Sequence, residues 1–332
     1  MSVPWPHEDG HVGFGPTGED STPRRDRGHT ATGVVPGWPS ARTSAEHSML
    51  TASPAVLIVA HPGHELRVHG WLELARPRIF VLTDGSGRSG RSRLQSTRHV
   101  IAQVGATPGA IFGRFTDRVV YDAMLRRDMA WFIALVDELA DCLAQERMGY
   151  VVGDAAEGYN PVHDLCRVVI DAAVALIDRG AGRALANFDF PLVGRPDAYG
   201  DSRPDGTIRL ILDEAAFQRK LQRAFSYPEL AEEVRAALDG RRHEIDSLQT
   251  APERSATPDP WRQATSIDAF RVEYLRRING RTTEAAFRDA PPFYERYGER
   301  QVALEYYREV IRYREHLRPL IEAIRHHGEA VS

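Results

Sequence analysis

The sequence predicts a Rossmann-like α/β fold, a mostly parallel sheet with a helical C-terminal extension and a disordered N-terminal leader. Three observations predict it. From Ala55 to Phe190, short apolar runs alternate with longer amphipathic ones, and strands that alternate with helices imply crossovers into a parallel sheet. Residues 1–53 are rich in Pro, Gly, Ser, Thr and Arg and hold no period of 2 or 3.6, the composition of a segment without a core. After about Asp213 the strand signal fades and helical patterns dominate. The expected organisation is therefore a leader over 1–53, a Rossmann-like domain over 54–212 and a helical extension over 213–332.

The elements follow in order. Ala55–Ala60 (AVLIVA) reads as a strand buried on both faces, because such strands are near-continuous apolar runs. Glu65–Ala75 reads as a short helix, and Arg78–Thr83 as a second strand running into the Gly/Ser/Arg loop Asp84–Ser92. Leu94–Val104 is helical in pattern and Ala110–Gly113 a short strand. Asp128–Arg147 is a longer helix with Trp131, Leu135, Leu139 and Leu143 on one face. Tyr150–Gly153, Pro161–Ile177 and Arg183–Phe190 continue as strand, helix and strand. Near the C-terminus Val302, Tyr306, Val310, Tyr313, Leu317, Leu320 and Ile324 fall at steps of three and four, the stripe of a single amphipathic helix. Packing on the α/β body is its expected use, with a homodimer seam as the alternative.

Composition excludes several classes. With 42% hydrophobic and 27% charged residues the chain can bury a sizeable core. No apolar run approaches the ~18 residues of a membrane span, and the N-terminus lacks a signal-peptide pattern, so a soluble, cytoplasmic protein is expected. A net charge of −4 leaves no global basic excess for nucleic acid. The two cysteines, Cys142 and Cys166, have neither disulfide nor metal spacing and are expected to be buried thiols. Lys220 is the only lysine.

Ligands of open parallel sheets bind beyond the carboxyl ends of the strands, so the residues there carry most weight. They are His61-Pro62-Gly63-His64-Glu65, Thr83-Asp84-Gly85-Ser86-Gly87, and the long segment from Gly153 to Asp164. His61, His64 and His163 would converge on that edge and could hold zinc, which takes three protein ligands in a catalytic site and keeps one position open. Gly85, Gly87 and Gly90 lack the spacing of a dinucleotide or P-loop cradle, but Arg88, Arg91 and Arg93 could hold an anionic or hydroxylated substrate. His69 is expected to be an ordinary, partly exposed histidine.

At these residues the sequence resembles the PIG-L/LmbE-like zinc-dependent de-N-acetylases. VLIVAHPGHE, Val56–Glu65, is similar to that family's strand ending in A-H-P-D-D-E. LTDG, Leu82–Gly85, with Arg93 resembles a second block, and NPVHD, Asn160–Asp164, resembles its H-P-D-H block. The likeness runs from about Ala55 to about Val193. It implies a zinc-dependent hydrolase that deacylates an N-acylated amino sugar or related amide, with His61, His64 and His163 as metal ligands, His64 standing where the family has an aspartate. Glycine at 63 replaces the family's general base, and Asn160 replaces a histidine associated with the oxyanion. Glu65, Asp154, Glu157 and Asp164 are the carboxylates that could substitute for the base, Glu157 first. Asn160 or Tyr159 could donate to the oxyanion, and Asp84, Arg93 and Tyr159 are the substrate-binding candidates. The alternative is a metal- or ligand-binding protein on the same fold that lost hydrolysis with the base.

Overall fold

In the computed structural model, residues 50–87, 89–181, 184–192, 206–231, 267–278 and 291–329 are described. Most of the expected leader, Arg88 and residues 232–266 and 279–290 of the expected helical extension lie outside them. A seven-stranded sheet has the order β3-β2-β1-β4-β5-β7-β6. Its strands are β1 (Ala55–Val59), β2 (Arg78–Thr83), β3 (Thr107–Phe115), β4 (Tyr150–Asp154), β5 (Ala186–Phe190), β6 (Ile208–Ile211) and β7 (Val272–Arg277). The first five pair in parallel, and β7 runs antiparallel to both β5 and β6.

Alternation along β1 explains the two-sided architecture, since successive side chains of a strand face opposite ways. Val56 and Ile58 enter one core, with Phe80, Leu135, Leu139 and Val169. Leu57 and Val59 enter the other, with Trp71, Ile79, Val81 and Val152. Helices cover both faces: α1 (His69–Ala75) after a 3₁₀ turn over His64–Val68, α2 (Leu94–Gln103), α3 (Asp117–Leu125), α4 (Met129–Gln145), α5 (Pro161–Ala181) and α6 (Glu214–Phe225). Among the described residues no helix is long and apolar enough to cross a membrane.

The structure corrects the sequence reading in several places. Strands do recur after Asp213: β7 joins the sheet between β5 and β6. β3 is longer than Ala110–Gly113, and α3 follows it unannounced. This edge strand carries glycines that depress a strand signal, yet Gly109 is needed there, because a Cβ would lie 2.4 Å from the Phe80 ring. The C-terminal stripe is not one helix. Glu305 at φ 60° stops α7 (Phe293–Ala303), the chain folds back with Val310 against Gly298, and Arg312 fastens the return by reaching Glu295 and Glu299 at 3.3 and 2.5 Å. A π turn over Tyr313–Leu317 then leads into α8 (Arg318–Glu329), whose Leu320 and Ile324, with Leu317, are spent in the first core. Finally, Cys142 is only partly buried, unlike Cys166, and His69 is fully buried.

The sole lysine has a structural use. Glu273 on β7 accepts the Gly70 and Trp71 amides at 2.9 Å, filling the orphan donors at the start of α1. Lys220 of α6 donates to Glu273 Oε1 and to the Arg67 carbonyl, both at 2.8 Å. A buried pair of this kind is costly to break, because the surviving charge is left without compensation. Glu273→Ala should therefore destabilise the fold by ~3–5 kcal/mol, read as a lowered urea midpoint.

His69 sits beside this pair with neither ring nitrogen hydrogen-bonded among the described residues. Burial lowers its pKa to about 4, against the pull of Glu273 and Glu73. Between about pH 6.5 and 4 the unfolded chain therefore takes up a proton that the folded chain refuses. The contribution is complete above pH 6.5 and lost as pH falls toward 4, on the order of 3 kcal/mol. Urea midpoints of the wild type should fall more steeply over that window than those of His69→Gln.

Candidate metal centre

β1 and β4 are neighbours in the sheet, and from them the chain proceeds in opposite directions, to β2 on one side and β5 on the other. Such a switch point opens a crevice beyond the strand ends. The ladder stops at Ile58↔Gly153, and the strands are held together beyond it by Asp154, whose Oδ2 accepts the Ala60 amide at 2.7 Å. Thr83 fastens the other side, donating its amide to the Ala60 carbonyl at 2.9 Å and its hydroxyl at 3.1 Å.

Three histidines meet in this crevice. Ligand nitrogens of His61, His64 and His163 lie within 4.8 Å of one another, and the ring centroids are 4.5–5.3 Å apart. His61 arrives on the loop after β1, His64 on the 3₁₀ turn that follows, and His163 on the first turn of α5. Two buried aspartates back them. Asp154 Oδ2 is 2.9 Å from His64 Nδ1, and Asp117 Oδ1 is 3.4 Å from His61 Nε2. His61 Nδ1 in turn faces His163 Nε2 at 3.1 Å.

The electrostatics suit a cation. Burial lowers the pKa of His64, opposed by Asp154 and aided by His61 and Arg93. Burial, with His64 and His61, also holds His163 well below its ordinary value. Neutral imidazoles are the form that binds metal. Burial would raise the Asp117 carboxyl, but His61, the Thr83 hydroxyl and the Gly87 amide outweigh it and hold the pKa at about 2. Three imidazole donors backed by two buried carboxylates form a donor set that fits zinc.

The remaining candidates fall into distinct places. Both oxygens of Glu65 are engaged, Oε2 by the Gly63 amide at 2.7 Å and Oε1 by the Thr97 hydroxyl at 2.8 Å, and burial pushes its pKa up to about 7. Asp164 Oδ1 accepts the Glu157 and Gly158 amides, and its pKa is also raised by burial to about 7. Glu157 Oε2 accepts the Leu192 amide at 2.8 Å. Asn160 caps α5, its Oδ1 accepting the Val162 amide at 2.8 Å and the Tyr121 hydroxyl at 3.2 Å. Tyr159 stacks on Phe293 of α7 at 5.0 Å. Asp84 receives the Ser86 amide at 2.9 Å. The Arg93 side chain packs beside Gly85 and within electrostatic reach of His64.

Sequence reasoning missed Asp117, Tyr121, Thr97, Tyr227 and Leu230. For Asp117 a signal was present: Thr116 precedes it as an N-cap whose side chain accepts from the Val119 amide, and a Thr-Asp pair ahead of Val119 and Val120 marks a helix start. Tyr227 and Leu230 come from a segment remote in sequence. Tyr227 places its hydroxyl 3.0 Å from Thr97 Oγ1, and Leu230 lies over Gly63.

Gly63 has φ 104°, and a Cβ there would meet Leu230 Cδ1 at 2.6 Å. The backbone conformation therefore favours glycine, and a side chain at position 63 would have to push the end of Leu230 aside.

No family model matches the chain, and neither does any curated protein sequence. Solved structures do show similarity. The deacetylase Dbv21, which acts on the antimicrobial A40926 pseudoaglycone, is similar over 68% of this chain and 97% of its own, at 19% identity and a TM-score of 0.40. A triple mutant of a deacetylase of the teicoplanin biosynthetic pathway covers 69% of this chain and 100% of its own, at 12% identity and a TM-score of 0.41. The zinc-inhibited form of the teicoplanin deacetylase Orf2 covers 57% and 88%, at 12% identity and a TM-score of 0.38.

Gly63→Asp should lower the melting temperature, with a strain cost of ~1–3 kcal/mol. Adding Leu230→Ala should recover the steric part but not the backbone part; an unperturbed single variant would contradict the packing described.

Proposed function

We propose that the chain is a metal-dependent amide hydrolase of the de-N-acetylase type, acting on an N-acylated amino sugar or related amide, with zinc held by His61, His64 and His163. The observation that carries this reading is the convergence of three histidines at the switch point of the sheet, their ligand nitrogens within 4.8 Å of one another. Bound there, zinc supplies Lewis acidity and lowers the pKa of water to about 7.

The residues of the chain do the rest. Asn160 has its Oδ1 occupied by the Val162 amide and the Tyr121 hydroxyl, which fixes the side-chain orientation and leaves Nδ2 as the group able to donate to a carbonyl oxygen becoming an oxyanion. Burial keeps the Tyr121 phenol protonated, so it remains a donor to Asn160. Glu157 is the carboxylate assigned to steer water, since it is partly exposed in the loop after β4 while Glu65 is enclosed with both oxygens bonded. Tyr159 and Asp84 supply polar and ring contacts for a hydroxylated substrate. Arg93 keeps a positive charge beside the centre and suits an anionic substituent.

A second reading is favoured by one observation, the Leu230 side chain packed where a base at position 63 would project. Under it the protein binds a metal or ligand without hydrolysing an amide.

Metal analysis of protein purified without chelator should find about one zinc per chain, lost in His61→Ala/His163→Ala. Acetate release from a panel of N-acetyl amino sugars, abolished with the metal, supports hydrolysis. Stoichiometric metal with no release from any amide would select the second reading, and wild-type protein devoid of metal would overturn the zinc hydrolase and leave the ligand-binding form of the second reading.

A further inference from the structure

We propose that Asp154 is the positioning residue that makes His64 a metal ligand, the two together replacing the single carboxylate that the resembled family carries at position 64. The proposal rests on the metal-centre reading above.

Three features carry it. The carboxylate is completely buried at the end of β4, so its charge acts in a medium that screens poorly. Its Oδ2 accepts the Ala60 amide at 2.7 Å and lies 2.9 Å from His64 Nδ1. A carboxylate only accepts, so Nδ1 carries the ring proton and Nε2 keeps the lone pair an ion requires. The other oxygen, Oδ1, is buried with no hydrogen-bond partner among the described residues, so no guanidinium or ammonium hydrogen-bonds to it to offset the charge.

The consequence follows from charge. Exchanging an aspartate ligand for neutral imidazole leaves a divalent centre one unit more positive. A buried carboxylate hydrogen-bonded to that imidazole returns the unit through the ring and raises its basicity. The exchange at 64 and the aspartate at 154 therefore act as one device split between two strand ends. The Ala60 amide is the necessary third member, since it fixes the carboxylate on the β1 side where His64 descends.

Asp154→Asn is the informative variant. Its amide oxygen can keep both hydrogen bonds, so the fold and tautomer survive while the charge is removed. Zinc titrated against a competing chelator should bind about 10–100-fold more weakly than to wild type, with little change in melting temperature. Placing His64→Asp in the Asp154→Asn background should restore affinity, because the carboxylate then contacts the ion directly. Unchanged zinc affinity in Asp154→Asn, or a double variant as weak as the single one, would overturn the proposal.

A metal-free readout separates this from the reading it rests on. Long-range ¹H–¹⁵N spectra of the wild-type apoprotein should show His64 protonated on Nδ1 and bare on Nε2. The opposite tautomer would overturn the role of Asp154. Wild-type protein with the expected tautomer but no zinc affinity would instead sink the metal centre and, with it, the exchange of ligands proposed here.

Discussion

One buried carboxylate oxygen joins the framework of this protein to its centre. Asp154 Oδ2 takes the amide of Ala60, where the β1–β4 ladder ends, and the imidazole of His64, four residues on. Without an acceptor at that point, the Ala60 amide would be a buried donor with no strand to pair with, a loss of ~1–3 kcal/mol. The same atom orients a ring that the loop alone would leave free to rotate. Strand pairing and site geometry are thus set by the same contact, and the switch point of a parallel sheet is where such a contact is possible.

Around it lies a support built largely from remote segments. Glu65, next to His64, is fixed by Gly63 and Thr97, and Thr97 by Tyr227. The start of α1 is filled by Glu273 from β7, which Lys220 neutralises from α6. The loop after β4 is held from within by Asp164 and from outside by α7, whose Tyr294 amide reaches the Gly158 carbonyl at 3.3 Å and whose Phe293 stacks on Tyr159. The C-terminal third therefore does more than cover a core face. It braces the 3₁₀ turn that bears His64 and the loop that leads into His163 on α5.

This support also explains the glycine at position 63. Leu230 occupies the volume that a side chain there would need, and the backbone adopts a φ that L-residues avoid. A base at that position would have to displace the end of the Leu230 side chain and hold a strained backbone.

The sequence alone determined the parts that depend on local pattern. The apolar runs at β1, β2 and β4 required strands buried on both faces, the amphipathic stretches at α4 and α5 required helices between them, and the parallel sheet these imply brought His61, His64 and His163 to one edge. Periodicity carries that information because it reflects burial, which is the same wherever the element lies. It failed where burial is partial or contacts are distant. β3 is an edge strand with Gly109 fitted to Phe80 and Gly113 to Leu94, so its pattern was weak, and with it went Asp117. The stripe from Val302 to Ile324 has the spacing of one helix, yet Glu305 and the Arg312 ion pairs turn it into two. Asp154 stood in the sequence as one of several loop carboxylates. That its oxygen, and not that of Glu65 or Asp164, meets His64 was decided by the pairing of β1 with β4, a contact across 90 residues that no local pattern encodes.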